Sequence, residues 1–173
     1  MSPRRLLRRK TAPLIVLLLA AVVWLARDVP RSVFQPAPEP APGSDWRTVV
    51  RVVDGDTLIL DGSERIRLIG VDTPESVDPR RPVQYFGKEA TAFTRQMVEG
   101  RRVRLDYDED RRDRYGRTLA YVFLEDGTFL NAEIIRQGYG HAYTRFPFRY
   151  MEEFRAYEHE ARENHRGLWA ERR

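Results

Sequence analysis

The stretch from Val53 to Glu75 (VDGDTLILDGSERIRLIGVDTPE) sets Asp54 and Asp56 at one end, Asp72 and Glu75 at the other, and Arg67 between them. Carboxylates with no cysteine or histidine among them suit a hard cation held through oxygen, calcium or magnesium, rather than zinc. Arg67 lies in a run that is apolar on both alternating sides, Ile66 and Leu68 on one and Ile69 and Val71 on the other. A guanidinium in such a strand needs an anion, either a side chain or a ligand phosphate. A doubly charged cation beside it makes a place for a phosphate ester.

That chemistry requires the two acidic ends to meet, and a hairpin brings them together. Thr57 to Leu60 reads as one strand, Asp61-Gly62 supplies the positive φ of a tight reversal, and Arg65 to Val71 is the return strand. Trp46 to Val53 is the strand before them. Ser76 to Phe86, with two prolines and no periodicity, is a loop long enough to suggest a functional role. Gly87 to Glu99 has helical spacing at Ala90, Phe93, Met97 and Val98 and ends on Gly100. Arg101 to Tyr107 alternates as a strand with one wet face. Arg117 to Leu124 is a further strand that turns at Asp126-Gly127 and resumes through Phe129 and Leu130. Asn131 reads as the N-cap of a helix over Ala132 to Gln137. Gly138 to Phe148 reads as loop, and Tyr150, Phe154, Tyr157 and Ala161 mark a last helix, after Gly167 of which Leu168 and Trp169 tuck back. About five short strands with one helix inserted and two at the end suit a small closed barrel of OB type.

Three segments of this chain, VDGDT, RLIGVDTPE and DRYGRTLAY (Asp113 to Tyr121), resemble the hallmark segments of the thermonuclease, or staphylococcal nuclease-like, family. The resemblance covers about residues 46 to 170. It implies a five-stranded OB-fold barrel with three helices and a calcium-dependent nuclease acting on DNA and RNA. It also implies roles by position: Asp56, Asp72 and the backbone carbonyl of Thr73 as metal ligands, and Glu75 as the general base. Arg67 and Arg117 become the phosphate clamp, and Arg114, Tyr115 and Tyr143 the lining of the nucleotide site. Where the family commonly has another tyrosine, two residues beyond Tyr143, this chain has Arg145. Asp54 is expected to cap the turn or to stand behind the metal ligands rather than bind metal itself.

Cleaving a phosphodiester needs neutralised charge on the transition state, a positioned water and an in-line hold on the phosphate, and the acids and arginines above cover each need. The histidines do not compete. His159-Glu160 has Glu163 where a zinc-protease helix needs a second histidine, and His141 and His165 show no acidic or asparagine partner pattern of a histidine-metal nuclease. A non-catalytic barrel that binds nucleic acid or protein would be expected to have lost some of Arg67, Glu75 and Arg117, and all three are present.

The net charge of +4 is misleading as a sign of nucleic-acid binding. Residues 1–45 hold seven Arg or Lys against three acids, while the remainder holds 23 of each sign. The absence of cysteine excludes disulfides, cysteine nucleophiles and thiolate metal sites. Arg4 to Lys10 followed by the uncharged PLIVLLLAAVVWLA (Pro13 to Ala26) has the layout of an export signal or an N-terminal membrane anchor. Its fourteen residues rise roughly 21 Å as helix, short of a hydrocarbon core of about 30 Å, which favours a cleaved signal. Leu19 and Trp24 stand where cleavage wants small residues, which favours an anchor, and the anchor is preferred. Paired arginines give a weak twin-arginine hint. Residues 27–45 form a proline-rich linker, and residues 46–173 the nuclease-like domain, expected to be a monomer outside the cytoplasm.

Overall fold

The computed structural model describes residues 46–77 and 82–170. The hydrophobic helix expected within residues 1–26 and the linker at 27–45 lie outside the described residues. Among the described residues no helix is long and apolar enough to cross a membrane.

In chain order the elements are β1 (Arg47–Asp54), β2 (Thr57–Leu60), β3 (Arg65–Leu68), β4 (Val71–Asp72), α1 (Gly87–Val98), β5 (Arg102–Asp106), β6 (Thr118–Leu124), α2 (Leu130–Arg136), β7 (His141–Ala142) and α3 (Met151–Glu163). Five strands close a barrel in the order β1-β2-β3-β6-β5, with β5 returning to β1. The β3–β6 pair is parallel and the other pairs in the barrel are antiparallel. A parallel pair needs a crossover connection, and the segment carrying α1 supplies it. This is the expected OB-type barrel with three helices.

Alternation explains the interior. Leu58, Leu60 and Ile66 are fully buried, with Val49, Val103, Ala120 and Val122 around them. Burying each large aliphatic side chain contributes roughly 1.5–3 kcal/mol. On β1, β2 and β3 the intervening residues face outward, and Arg51 and Arg65 are exposed. Strand β6 is buried on both faces because Tyr121 and Phe123 pack outside the barrel against Phe129 and Tyr150.

Several expectations need correcting. The return strand stops at Leu68 rather than Val71. Gly70 turns the chain at φ +73°, and a Cβ there would strike the Phe148 ring at 2.6 Å. Val71 and Asp72 then pair with Ala142 and His141 in a two-stranded sheet unexpected from the sequence. Two-residue strands carry too little alternation to be read. Arg104, expected on a wet face, is buried with its guanidinium 4.7 Å from the centroid of Phe123. After the Asp126-Gly127 turn, Phe129 makes a bridge to Phe123, but Leu130 already begins α2.

Asn131 is no N-cap. It is fully buried inside α2, where Oδ1 accepts from Val122 N at 3.0 Å and Nδ2 donates to Ile69 O at 3.0 Å and Ala120 O at 3.3 Å. It ties the helix to β6 and to the chain leaving β3. Asn131→Ala would strand Val122 N–H and Ile69 C=O, each costing about 1–3 kcal/mol. Chemical denaturation should therefore show a loss of roughly 3 kcal/mol; a loss under about 1 kcal/mol would mean that water or strand rearrangement satisfies both groups.

Candidate active site

Three neighbouring strands build the site. Thr57 on β2 is the Cα partner of Arg67 on β3, and Arg67 is the partner of Leu119 on β6. All three lie on the outward side, because Leu58, Ile66 and Thr118 between them are buried. Arg117 immediately precedes β6, two residues from Leu119, and so joins the same face.

Arg67 is held by anions and carbonyls, as its setting demanded. Its Nη2 lies 3.3 Å from Asp56 Oδ2 and 3.4 Å from Asp72 Oδ1. Its Nη1 donates to Leu68 O at 3.1 Å and to Val71 O. Nε–H takes no part in these contacts. The guanidinium therefore shares its charge between two carboxylates, one buried and one half-exposed.

Asp56 ties the hairpin together. Oδ2 accepts from the backbone N of Thr73 at 3.0 Å and from Thr73 Oγ1 at 3.1 Å, while Oδ1 accepts from Thr57 Oγ1 at 3.1 Å. Thr57 Oγ1 also accepts from Arg117 Nη1 at 3.3 Å. A continuous polar chain thus runs from Arg117 through Thr57 and Asp56 to Arg67 and Asp72. Asp54 Oδ1 accepts from Asp56 N at 3.2 Å, the turn-capping role expected of it.

Carboxylates crowd this end of the barrel. Burial, and then the charge of Asp56, pushes Asp54 up to about 7. Burial and Asp56 also raise Asp72, against the lowering effect of Arg67 and His141. One guanidinium under-compensates this group, a condition that a hard cation on the carboxylate oxygens would relieve. Among the described residues no set of three or more acidic or histidine side chains surrounds a single ion position. Asp56 and Asp72 are oxygen donors of the kind a hard cation takes.

Glu75 is placed by its backbone. Its N–H donates to Gln84 Oε1 at 2.9 Å, and Gly87 sits so close that a Cβ there would lie 2.7 Å from Glu75 O. The start of α1 can press against this segment only because residue 87 is glycine. Glu75 Oε1 accepts the backbone N–H of Ser76 at 2.9 Å and of Val77 at 2.8 Å, and its charge reaches Asp72.

A family model described as staphylococcal nuclease homologue matches residues 65–171. The chain belongs to this family. The matched span holds Arg67, Asp72, Thr73, Glu75, Arg114, Tyr115, Arg117 and Tyr143, while Asp56 lies before it. The chain is 42% identical over 126 residues to the thermonuclease of Staphylococcus hyicus, an alignment covering 70% of this chain and 74% of that protein. It is 53% identical over 97 residues to the thermonuclease of Staphylococcus intermedius, covering 54% and 57%. With endonuclease YncB of Bacillus subtilis it shares 36% over 129 residues, covering 71% and 61%.

In this staphylococcal nuclease homologue, two positioning residues escaped the sequence reading. Thr57 links Arg117 to Asp56, and its only signal was its place at the end of VDGDT. Asp113 holds Arg117 through Oδ2 on Nε at 2.7 Å and Oδ1 on the backbone N at 2.9 Å. Burial works against its charge, but hydrogen bonds from Arg117 keep the Asp113 carboxyl below its ordinary value. The four-residue spacing of Asp113 and Arg117 across a glycine turn was the available clue. Arg117 keeps its Nη2 outside these contacts.

The expected nucleotide-lining residues fall into two groups. Arg114 donates to Tyr115 Oη at 2.6 Å and lies 4.8 Å from its ring centroid, and Arg117 lies 5.5 Å from the same ring. Tyr115 is 69% exposed, an open aromatic face beside the arginines. Tyr143 follows β7, its N–H donating to Gly70 O at 2.9 Å, and its ring lies 6.2 Å from Phe146. His141 Nδ1 lies 3.2 Å from Glu158 Oε1. The pair joins β7 to α3 behind Asp72.

Proposed function

We propose that this chain is a calcium-dependent nuclease of broad range, cutting DNA and RNA with Glu75 as general base and Arg67 and Arg117 on the phosphate. Its family, with thermonuclease and endonuclease relatives, makes it a hydrolase of phosphodiester bonds in nucleic acid. The observation that carries the finer reading is the polar chain Arg117–Thr57–Asp56–Arg67–Asp72, which gathers two guanidinium groups and two carboxylates on one face.

Each arginine is fixed by some donors and keeps another. Among the described residues no contact takes up Arg67 Nε–H or Arg117 Nη2, which leaves each arginine a donor for a phosphate oxygen. Asp56, Asp72 and the Thr73 carbonyl would hold calcium, which supplies charge neutralisation at the phosphate when bound. Glu75 takes the proton of the attacking water as its oxygen bonds to phosphorus; the phosphorus–oxygen bond to the leaving sugar breaks, and that oxygen takes up a proton. Tyr115 and Tyr143 offer ring faces to the flanking bases.

A site with two carboxylates and few protein ligands binds calcium weakly, on the order of 10⁻⁴ to 10⁻³ M, levels met outside cells. This agrees with an extracytoplasmic enzyme, anchored by residues 1–26 or released after their removal. An intact Met1 in the membrane fraction would support the anchor and a mature start after residue 26 the cleaved leader; recovery from the cytosol would overturn both.

Incubation of the purified chain with plasmid DNA and with RNA tests the reaction. Degradation of both is expected with calcium and loss of at least about a hundredfold in rate with a chelator. DNA retarded but intact under calcium would point to a binding module instead, and unimpaired cleavage in chelator would remove the metal from the reading.

A further inference from the structure

The outward face of β1, β2 and β3 carries more positive charge than the site just described uses. Arg51 on β1 is the Cα partner of Ile59 on β2, and Ile59 is the partner of Arg65 on β3. Paired residues in adjacent antiparallel strands point the same way, and Val52, Leu58 and Ile66 beside them are buried. Arg65 stands two residues before Arg67 on this face. The register that pairs Ile66 with Thr118 also brings Arg65 alongside Arg117, one position earlier on each strand. An arginine row therefore crosses three strands away from the site, with Ile59 as an apolar step within it.

Neither the Arg51 nor the Arg65 side chain has an ion-pair or hydrogen-bond partner among the described residues, in contrast to several arginines around them. Arg47 is tied to Asp61 and Glu64, Arg102 to Glu125, and Arg149 to Asp106. Two nearby acids, Glu64 next to Arg65 in sequence and Glu99 in the same cleft lining as Arg51, are engaged elsewhere. Glu64 holds Arg47 and Thr118, and Glu99 accepts from Val52 N at 2.9 Å and pairs with Arg95. Arg51 also lines a cleft of about 520 Å³, together with Val52, Val53, Val77 and the ion-paired Arg95 and Glu99. Its valines offer an apolar patch to a base, and Arg51 offers a guanidinium to the phosphate beside it.

Successive outward residues on one strand lie about 6.6 Å apart, and neighbouring strands about 4.8 Å. Positive charges at these steps follow a polyanion rather than a single small anion. We infer that a single-stranded segment of the nucleic-acid substrate runs from the Arg67–Arg117 phosphate across β3 and β2 to the cleft, with Arg65 and Arg51 as successive phosphate contacts. This rests on the nuclease reading above and extends it to substrate length. The domain around this row is neutral in total, so affinity for polymer comes from this placement of charge.

The test compares Arg51→Gln/Arg65→Gln with wild type on two substrates, a long oligodeoxythymidylate and a nitrophenyl ester of a single thymidine nucleotide. The ratio of kcat/KM for polymer over nucleotide should fall roughly tenfold, since two charge-assisted phosphate contacts are lost. Binding of the oligonucleotide in chelator should lose about 0.7 per contact from its log–log salt slope, and Arg51→Lys/Arg65→Lys should restore it. A ratio that moves by less than about twofold, with the salt slope unchanged, overturns the inference; so does an equal loss on both substrates. If wild type cleaves neither substrate, the nuclease reading fails by itself, and the salt slope still decides whether the row holds a strand.

Discussion

Glu75→Gln should lower the turnover of plasmid cleavage by roughly 10²- to 10⁴-fold, the range a positioned general base contributes, without a measurable change in thermal midpoint. Glutamine is the informative replacement because the proposed base also serves as a loop cap. Its Oε1 accepts the N–H groups of Ser76 and Val77 and so shapes the loop leaving the site. A glutamine Oε1 accepts those same bonds, but its amide takes no proton from water. If Glu75 mattered only as a loop cap, the glutamine variant would keep nearly full activity and the alanine variant alone would fail. Near-normal turnover of the glutamine variant therefore refutes the base assignment, while an equal loss in both variants supports it.

How much of this site could be read in advance depends on the kind of signal each residue carries. The β2–β3 hairpin was legible because alternating apolar residues flank Asp61-Gly62, and that hairpin alone brings Asp56 to Arg67. Arg67 was legible as a guanidinium forced to find anions in an apolar strand, and it finds Asp56 and Asp72. The strand's early end was not, since Gly70 acts through Phe148, a residue far along the chain. The pairing of Asp72 with His141 was hidden for the same reason: two-residue strands are made by tertiary packing, not by local pattern. Asn131 misled because an asparagine before a helical run has the composition of a cap, while its actual partners are backbone groups of β6 and of Ile69. Thr57 and Asp113 act on other side chains, and a residue whose work is to aim another leaves little mark in sequence. The arginine row at Arg51 and Arg65 needed the strand register itself.

Arg67→Lys is expected to lower kcat by about 10²- to 10³-fold, the size of effect seen when one preorganised donor to a developing charge is removed, although the formal charge is kept. The guanidinium serves four acceptors at once: carbonyls of Leu68 and Val71 through Nη1, and carboxylates of Asp56 and Asp72 through Nη2. An ammonium has three rotatable donors on a point charge and cannot span that fork while offering a further N–H to phosphate. Part of the cost should appear as stability, on the order of 1–3 kcal/mol, because a half-buried carbonyl or carboxylate is left without its donor. The decisive reading is the split between kcat and KM. A purely coulombic role would let lysine restore most of kcat and leave a rise in KM, whereas a clamp that tightens in the transition state puts the loss in kcat. A lysine variant within about tenfold of wild type in kcat would therefore show that charge at residue 67 suffices and that the fixed geometry of its contacts is not what cleavage uses.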